Sequence, residues 1–487
     1  MPGHAGARSI VLVALILAVV PARGAESPEP PKLRFGIALQ AKPTRKHFQD
    51  VVQKTPDLVL LDGAKTIRPE RPGLIYHVER AEGDRYLVTL PGQGLYGWVA
   101  RNAVIPYSEA EGYFTNELEI EKATPFGYLM RAIVCEDNER FQRSFADLAE
   151  ALKLDPGYVP AMIERAMLWA TRNRMDLALL DAERAIRADP RSSEARLERG
   201  VFYFKLKDYE KALADLDRAR ELGSRSIHVP MIRGSIYVER RQIDDAIKVF
   251  QEAISIEPKN YDAHLMLGSS YLLRSQPQRA VQAFSQAVKL EPEKGAGYGG
   301  RAVARMSLGQ RELALVDLNQ AIRYESMRAD LFRDRGQIYA MEGRWPQAMA
   351  DFDTALRVDA NDVEANIVRA WTLATCPDQS VRNGASAVAS ATRACELTQW
   401  ISPRALATLA AAYAESGDYT AAAQMQSKAI AVTPPRDPVV GYYQACLNRY
   451  RSGKPWHRVG LLEEIGLHRR SPAKQDAQVQ QTRGNEP

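Results

Sequence analysis

Cysteine and histidine are scarce in this chain of 487 residues, which has four cysteines and seven histidines. Four cysteines are too few for a disulfide framework in a chain of this length. The histidines stand at positions 4, 47, 77, 228, 264, 457 and 468, and none shares metal-ligand spacing with a cysteine or another histidine. The sequence therefore predicts neither a disulfide-stapled fold nor a metal site.

Sequence motifs of catalysis are also missing. The chain has no Gly-x-Ser-x-Gly elbow. Its cluster of Gly295, Gly297, Gly299 and Gly300 follows no predicted strand, as a phosphate-binding loop would require. Acidic residues are plentiful only as helix-surface and turn residues. We therefore expect no catalytic residues, no cofactor and no enzymatic activity.

Charge of one sign is not in excess: the formal net charge is +5, from 65 Lys and Arg against 60 Asp and Glu. Charged residues make up 26% of the chain and hydrophobic residues 45%, which is ordinary for a soluble folded protein. A nucleic-acid-binding protein of this size would need a strongly basic surface. The composition therefore predicts no nucleic-acid partner.

Long apolar runs are confined to the N-terminus. Ile10–Val20 is unbroken, follows Arg8, and precedes Ala22-Arg23-Gly24, which fits the small-x-small pattern of signal cleavage. The run is much shorter than the roughly 20 residues that a spanning helix needs. We interpret residues 1–24 as a signal peptide and expect an exported protein, periplasmic, extracellular or in the cell envelope. It would have no integral membrane span after cleavage; an uncleaved anchor is the alternative.

A strict repeat dominates the rest of the chain. Helix-ending positions recur at one constant interval, at Pro156, Pro190, Ser224, Pro258, Pro292, Ser326 and Ala360. Within one unit, Gly234 and Tyr237 lie on a predicted first helix, and Ala246, Phe250 and Ala253 lie on a second. Small residues let two helices approach closely, and aromatic side chains fill the space between them.

This pattern resembles the tetratricopeptide repeat, a pair of antiparallel helices with a period of about 34 residues. The resemblance implies a mainly α fold, a superhelical solenoid of α-α hairpins, over residues 124–435 in about nine repeats. The eighth repeat carries about five inserted residues between Cys376 and Gly384. We expect a capping helix at 436–453 and a polar, partly disordered tail at 454–487.

The segment before the helices has the texture of β-structure. Residues 25–32 are typical of a Pro-rich linker, and from 33 to 107 short strand-like runs alternate with turns that contain Gly and Pro. Three runs follow one another here: Tyr86–Leu90, Gly97-Trp98-Val99 and Val104-Ile-Pro106. Together they resemble the bacterial SH3-like domain, a small β-barrel. Members of that family often bind peptides or cell-wall stems. The resemblance makes Trp98 a candidate ligand platform, with core or rim packing as the alternative.

A further resemblance covers the eighth repeat and the C-terminal end. Three segments carry it: Ala374-Thr-Cys-Pro-Asp378, Arg382-Asn-Gly384 and Ser452-Gly-Lys-Pro455. They are similar to segments of exported tetratricopeptide proteins of planctomycete-type bacteria. The resemblance implies an exported location and this domain order, and it implies no activity.

The repeat register also bears on two cysteines. It places Cys376 after a first helix and Cys395 near the far end of the next second helix. Antiparallel helices of about 12 residues separate such ends by roughly 15 Å, which is beyond the range of a disulfide. We expect free, mostly buried thiols.

Arginine recurs at one first-helix position in seven repeats: Arg131, Arg165, Arg199, Arg233, Arg301, Arg335 and Arg369. Aspartate follows five of them at one constant spacing, as Asp147, Asp181, Asp215, Asp317 and Asp351. The repeat that has Leu267 in place of the arginine also has Ala283 in place of the aspartate. We therefore favour Arg–Asp pairs between the two helices over a basic stripe for an anionic partner.

Apolar first-helix positions of the second to fifth repeats are candidates for a partner groove on the concave face, where solenoids bind extended peptides. They are Ile163, Met167, Leu197, Val201, Phe204, Met231, Val238, Leu265 and Leu272. Some of them must pack between repeats, so groove and interior packing both stay open.

These observations favour a non-enzymatic scaffold or adaptor of the cell envelope, which binds a protein or peptide partner through the concave face. The alternative is a cell-wall or envelope-targeting module that acts through the SH3-like domain. In that case the repeats would be a spacer or a regulatory subunit.

Overall fold

The computed structural model describes residues 50–54, 60–62, 65–67, 75–90, 95–120 and 123–457. The predicted signal peptide at 1–24, the predicted linker at 25–32 and the tail beyond 457 lie outside the described residues. The chain forms two compact units, one ending at Ser270 and the other beginning at Tyr271.

The described residues of the first unit open with an antiparallel sheet of seven strands in the order β3-β2-β6-β5-β4-β1-β7. The strands are β1 (Asp50–Gln53), β2 (Leu60–Asp62), β3 (Lys65–Ile67), β4 (Ile75–Glu82), β5 (Arg85–Leu90), β6 (Leu95–Ala100) and β7 (Val104–Pro106). The predicted β-structure is thus a sheet, while the SH3-like barrel stays a prediction.

Strand β6 shows how the two-residue period of a strand divides the sheet into an inner and an outer face. Gly97 and Val99 are buried, whereas Tyr96 is exposed and Trp98 half-buried. Gly97 allows the neighbouring strand to come close, because a Cβ there would lie 2.8 Å from the Cβ of Leu60. The inner face holds a buried cluster of Leu60, Tyr76, Val88, Val99 and Val104.

Helix α1 (Tyr107–Ile120) follows β7 directly and joins the sheet to the helices. Val52 of β1 and Ile105 of β7 belong to the same buried cluster as Phe114 of α1 and Phe126 of the next helix. The sheet and the first helices therefore share one core.

Helical hairpins make up the rest of the first unit. They are α2 (Pro125–Asp137) with α3 (Phe141–Leu154), α4 (Val159–Thr171) with α5 (Met175–Ala188), α6 (Ser193–Lys205) with α7 (Tyr209–Glu221), and α8 (His228–Glu239) with α9 (Ile243–Ile256). Helix α10 (Tyr261–Leu273) begins in this unit. Gly234 of α8 lies against the Phe250 ring of α9, which a Cβ would overlap.

The turn inside each hairpin has the same backbone conformation. One residue per turn has a left-handed φ between 59° and 62°, and these residues are Glu139, Asn173, Lys207 and Arg241. They recur at the same interval as the helix-ending positions, so the sequence period is also a period of backbone geometry.

The second unit continues the alternation of helices. Its helices are α11 (Pro277–Leu290), α12 (Gly295–Ser307), α13 (Arg311–Tyr324), α14 (Ala329–Met341), α15 (Trp345–Val358), α16 (Val363–Thr375), α17 (Gly384–Leu397), α18 (Pro403–Glu415), α19 (Tyr419–Val432) and α20 (Val439–Arg451). The glycine cluster at 295–300 lies inside α12, where Gly295 fits closely against Ala321 and Glu325. It serves helix packing.

The inserted residues of the eighth repeat form an ordered loop between α16 and α17. Arg382 donates hydrogen bonds from Nη1 to the carbonyl oxygens of Cys376 (2.9 Å) and Pro377 (3.1 Å), and from Nε to Glu415 of α18 (2.9 Å). The loop is thereby tied both to itself and to the ninth repeat.

The cysteines are packing residues. Cys135, Cys376, Cys395 and Cys446 are all buried thiols outside any disulfide. The predicted burial of the thiols is confirmed, and burial raises the pKa of Cys395 to about 12. A thiol held in this state is a poor nucleophile.

Candidate functional site

Arginine–aspartate pairs join the two helices of five hairpins, as the constant spacing in the sequence predicts. The guanidinium donates from Nε and Nη2 to both carboxylate oxygens at 2.7–2.9 Å. The pairs are Arg131–Asp147, Arg165–Asp181 and Arg199–Asp215 in the first unit, and Arg301–Asp317 and Arg335–Asp351 in the second. This prediction is confirmed.

The two remaining arginines take a partner that the sequence reasoning missed. Arg233 lies 3.0 Å from Asp217, and Arg369 donates to Asp353 at 2.7 Å. Both aspartates precede their arginine by the same spacing and lie on the preceding second helix. They occur in the repeats where Val249 and Ser390 stand at the aspartate position of the same hairpin, the second one shifted by the inserted residues. Arg369 also donates from Nη1 to Ser390 Oγ at 2.7 Å. A search for aspartate before as well as after each arginine would have found them.

The arginines therefore offer no open basic stripe. Their side chains are 8–23% exposed, and the five aspartates of the same-hairpin pairs are at most 8% exposed. The hydrogen bonds that Arg199 donates to the carboxylate of Asp215 raise the pKa of Arg199, as expected for a guanidinium held in a fork with a carboxylate. An anionic ligand would have to displace a carboxylate that already fills this fork.

The nine predicted groove positions are mostly closed off in the folded chain. In the first unit Ile163, Leu197, Val201, Phe204, Met231, Val238 and Leu265 are buried, and Met167 is half-buried. In the second unit Leu272 is half-buried. Seven of the nine side chains thus pack between helices, and their role in binding a partner stays a prediction.

Two charged residues lie beside this apolar set. Lys205 ends α6 next to Phe204, and Glu239 ends α8 next to Val238, at the equivalent position of the next repeat. Both are half-buried and make no hydrogen bond or ion pair within the described chain. Burial lowers the pKa of Lys205, opposed by Glu198, and raises the pKa of Glu239.

These charges define the candidate site, which we call the first-helix face: the surface around Met167 of α4, Lys205 of α6 and Glu239 of α8. Helix α6 contacts both α4 and α8. A partly desolvated charge that lacks a hydrogen bond or ion pair is costly, and such groups concentrate at functional sites. Periodicity did not single them out, because the signal is burial without a partner and burial is not visible in the sequence.

Trp98 lies on the outer face of the sheet. Its ring is half-buried beneath the guanidinium of Arg80, whose Cζ is 5.3 Å from the ring centroid. One row of cross-strand neighbours runs across β2, β6, β5 and β4 and consists of Leu61, Trp98, Leu87 and Arg80. Tyr96 beside this row is 54% exposed. The role of Trp98 as a ligand platform stays a prediction.

The part of the chain that the structure describes carries neither a metal-binding cluster nor a membrane-spanning helix. Groups of three or more His, Cys, Asp or Glu residues placed to hold a metal ion are absent there. Within the same residues, no helix combines the length and the apolar character needed to cross a membrane.

A family model for the tetratricopeptide repeat matches residues 129–192, 178–227, 233–295 and 300–363. These helical hairpins are tetratricopeptide repeats. The predicted repeat type is confirmed for this part of the chain, including the hairpins that carry the first-helix face. No curated protein matches the chain.

Several solved structures are similar to the chain. YrrB, described as having an unusual peptide-binding site, is 22% identical over 38% of this chain and 95% of YrrB, with a TM-score of 0.34. PilF of Pseudomonas aeruginosa is 16% identical over 44% of this chain and 98% of PilF, with a TM-score of 0.40. A chain of the APC/C hetero-tetramer Cut9–Hcn1 is 13% identical over 71% of this chain and 80% of that chain, with a TM-score of 0.41.

Proposed function

We propose that the protein is a non-enzymatic adaptor that binds an extended segment of a protein partner through the first-helix face. Tetratricopeptide repeats generally mediate protein–protein interaction. The observation that carries the proposal is the half-burial of Lys205 and Glu239 at equivalent positions of neighbouring first helices. Neither makes a hydrogen bond or an ion pair with another described residue.

The two charges specify the chemistry of the partner. An acidic group of the partner would pair with Lys205, and a basic group would pair with Glu239. Each pair would form where the protein has already lost part of its hydration, so the attraction is stronger than between exposed charges. An apolar side chain of the partner would cover the half-buried Met167 of α4.

Selection of peptides from a random library on the full chain tests this assignment. Wild-type protein should enrich peptides with an acidic residue, and Lys205→Glu should enrich peptides with a basic residue at the same place. The control Lys248→Glu makes the same charge change on α9, where the lysine side chain is 74% exposed and paired with Asp245. Equal enrichment on all three proteins would contradict the proposal.

We further propose that the adaptor acts in the cell envelope. Support comes from the predicted signal peptide at residues 1–24 and from the resemblance to exported proteins of planctomycete-type bacteria. N-terminal sequencing of protein isolated from cells tests the location: a mature chain that begins at or near Ala25 is expected, and a chain that retains residue 1 in the cytoplasm would contradict it.

A second candidate function is envelope binding through the predicted SH3-like domain, with the repeats as a spacer or a regulatory subunit. The row Leu61, Trp98, Leu87 and Arg80 on the outer face of the sheet favours it. Trp98→Ala should then abolish cosedimentation with isolated cell-wall material, whereas Tyr86→Phe should not. Deleting residues 33–107 would be a poorer test, because it also removes Val52 and Ile105 from the core shared with α1.

A further inference from the structure

The outer surface of α13 is unlike that of the second helices on either side of it. Leu313, Val316 and Tyr324 are 47%, 57% and 39% exposed. Together with Gln320 they recur at three- and four-residue intervals, so they form one stripe along the helix. The residues equivalent to Leu313, Val316 and Gln320 are polar or small in α11 (Arg279, Gln282, Gln286) and in α15 (Gln347, Ala350, Thr354).

Two opposite charges flank this stripe. Glu312 and Arg323 are both exposed, and neither makes a hydrogen bond or an ion pair with another described residue. At 3.6 residues per turn, their separation in sequence places them within about 20° of each other around the helix and roughly 16 Å apart along it. They therefore lie on the same flank, one at each end of the stripe.

We propose that α13 pairs antiparallel with α13 of a second copy of this chain. A two-fold axis that runs perpendicular to α13 places the α13 of the second copy antiparallel to the first. The flank of α13 that carries the two charges then lies beside the same flank of the second copy. Centred between residues 317 and 318, this symmetry brings Glu312 opposite Arg323 of the second copy, and Arg323 opposite its Glu312. Val316 then lies between Val316 and Gln320 of the second copy, and Leu313 lies between its Gln320 and Tyr324.

Charge complementarity is what singles out a second copy as the occupant. An unrelated partner would require an apolar stripe, but it would not require opposite charges placed symmetrically about the centre of that stripe. A stable interface buries about 800 Å² on each partner, which is more than a single helix of 14 residues offers. The dimer is therefore weak, with a Kd in the micromolar range or above.

Sedimentation equilibrium of the purified full chain, from about 1 to 200 µM, measures this association. Glu312→Arg alone and Arg323→Glu alone each place like charges together twice in the dimer, so each should raise the Kd about tenfold. The double variant Glu312→Arg/Arg323→Glu restores both pairs in reverse and should return the Kd to within about twofold of wild type. An equimolar mixture of the two single variants should associate better than either alone.

Two further variants separate packing from charge. Val316→Glu should abolish the dimer, whereas Ala350→Glu, at the equivalent position of α15, should leave it unchanged. All of the substituted side chains are exposed, and circular dichroism should show the same helicity for every variant. A wild-type chain that is monomeric at the highest concentration would overturn the proposal, as would a double variant or a mixture that fails to recover. A monomer that loses binding to another protein on Val316→Glu would assign the stripe to that protein instead.

Discussion

Asp215 accepts hydrogen bonds from two arginines of α6, Arg199 at 2.7 and 2.9 Å and Arg196 at 3.1 Å. Its side chain is 5% exposed. Replacing one member of such a pair leaves the other charge buried and uncompensated, and that cost exceeds the net attraction that the intact pair contributed. At the residue scale these pairs fix the register of two helices more than they add stability.

Asp215→Ala should therefore lower the local stability of its hairpin by about 2–4 kcal/mol. Hydrogen exchange of α6 and α7 is the measurement, since it reports the hairpin rather than the whole chain. Asp245→Ala on α9 is the matched control, because Asp245 pairs with exposed Lys248 and should cost no more than about 0.5 kcal/mol. Equal loss of protection in the two variants would argue against the account.

Lys205 should be destabilising for the isolated chain. Burial lowers its pKa below the ordinary value of 10.5, so between the two values the unfolded chain binds more protons than the folded chain. The free energy of unfolding then rises as pH increases through this window. Lys205→Met should raise the stability of the first unit near pH 7 and lose part of that advantage near pH 10.

Urea unfolding at the two pH values measures this effect. Lys259→Met, at an exposed lysine of the same unit, corrects for the general titration of lysines. A Lys205→Met advantage that is absent at pH 7, or that is the same at both pH values, would show that Lys205 carries no burial cost and would weaken its assignment to the site.

Residue pairs at a fixed spacing were predictable, and unpaired charges were not. The link between Arg199 and Asp215 could be predicted because a hairpin of constant length converts a sequence distance into a contact. Lys205 looks like an ordinary helix-ending lysine in the sequence. Only the packing of α6 against α4 and α8 shows that it loses water without gaining a hydrogen bond or an ion pair from another described residue.

At the scale of elements, the hairpin turns contain a backbone conformation that most side chains avoid. Lys207 has a φ of 62°, whereas Gly309 and Gly343 supply a glycine with φ of 74° and 73° at the equivalent positions of the second unit. A residue with a Cβ costs roughly 1–2 kcal/mol in the left-handed region. The non-glycine turns of the first unit are thus less stable than they could be.

Lys207→Gly should raise the free energy of unfolding by about 0.5–1 kcal/mol, because relief of strain outweighs the added freedom of the unfolded chain. The adjacent control Leu206→Gly should lower it by a similar amount, since Leu206 has an ordinary φ of −81°. Thermal unfolding measures both. Shifts of the same sign in the two variants would contradict this explanation of the turn.

Helices were more predictable than strands for a physical reason. The pattern of buried and exposed residues that marks each helix lies within 14 consecutive residues or fewer. The inserted loop after Cys376 is visible in the sequence as a break in the regular spacing of the repeats. The pairing of Val52 with Ile105 joins β1 to β7, the first and last strands of the sheet in chain order, and no local pattern indicates it. The resulting core between the sheet and α1 could not be foreseen from the sequence.

At the scale of the whole molecule, the proposed adaptor combines three surfaces. The first-helix face in the first unit would bind a partner, the outer face of the sheet is a second candidate, and α13 in the second unit would pair two copies. Two copies on one partner would strengthen binding through effective concentration, without a new contact to the partner. Weak single-site affinity is therefore compatible with an adaptor role.

The most direct test of the central claim is the affinity of one acidic peptide and its basic counterpart for wild-type protein and for Lys205→Glu, by isothermal titration. The account predicts that wild type prefers the acidic peptide by about tenfold or more, and that Lys205→Glu reverses the preference. If each peptide binds both proteins with the same affinity, the first-helix face is not where the partner binds.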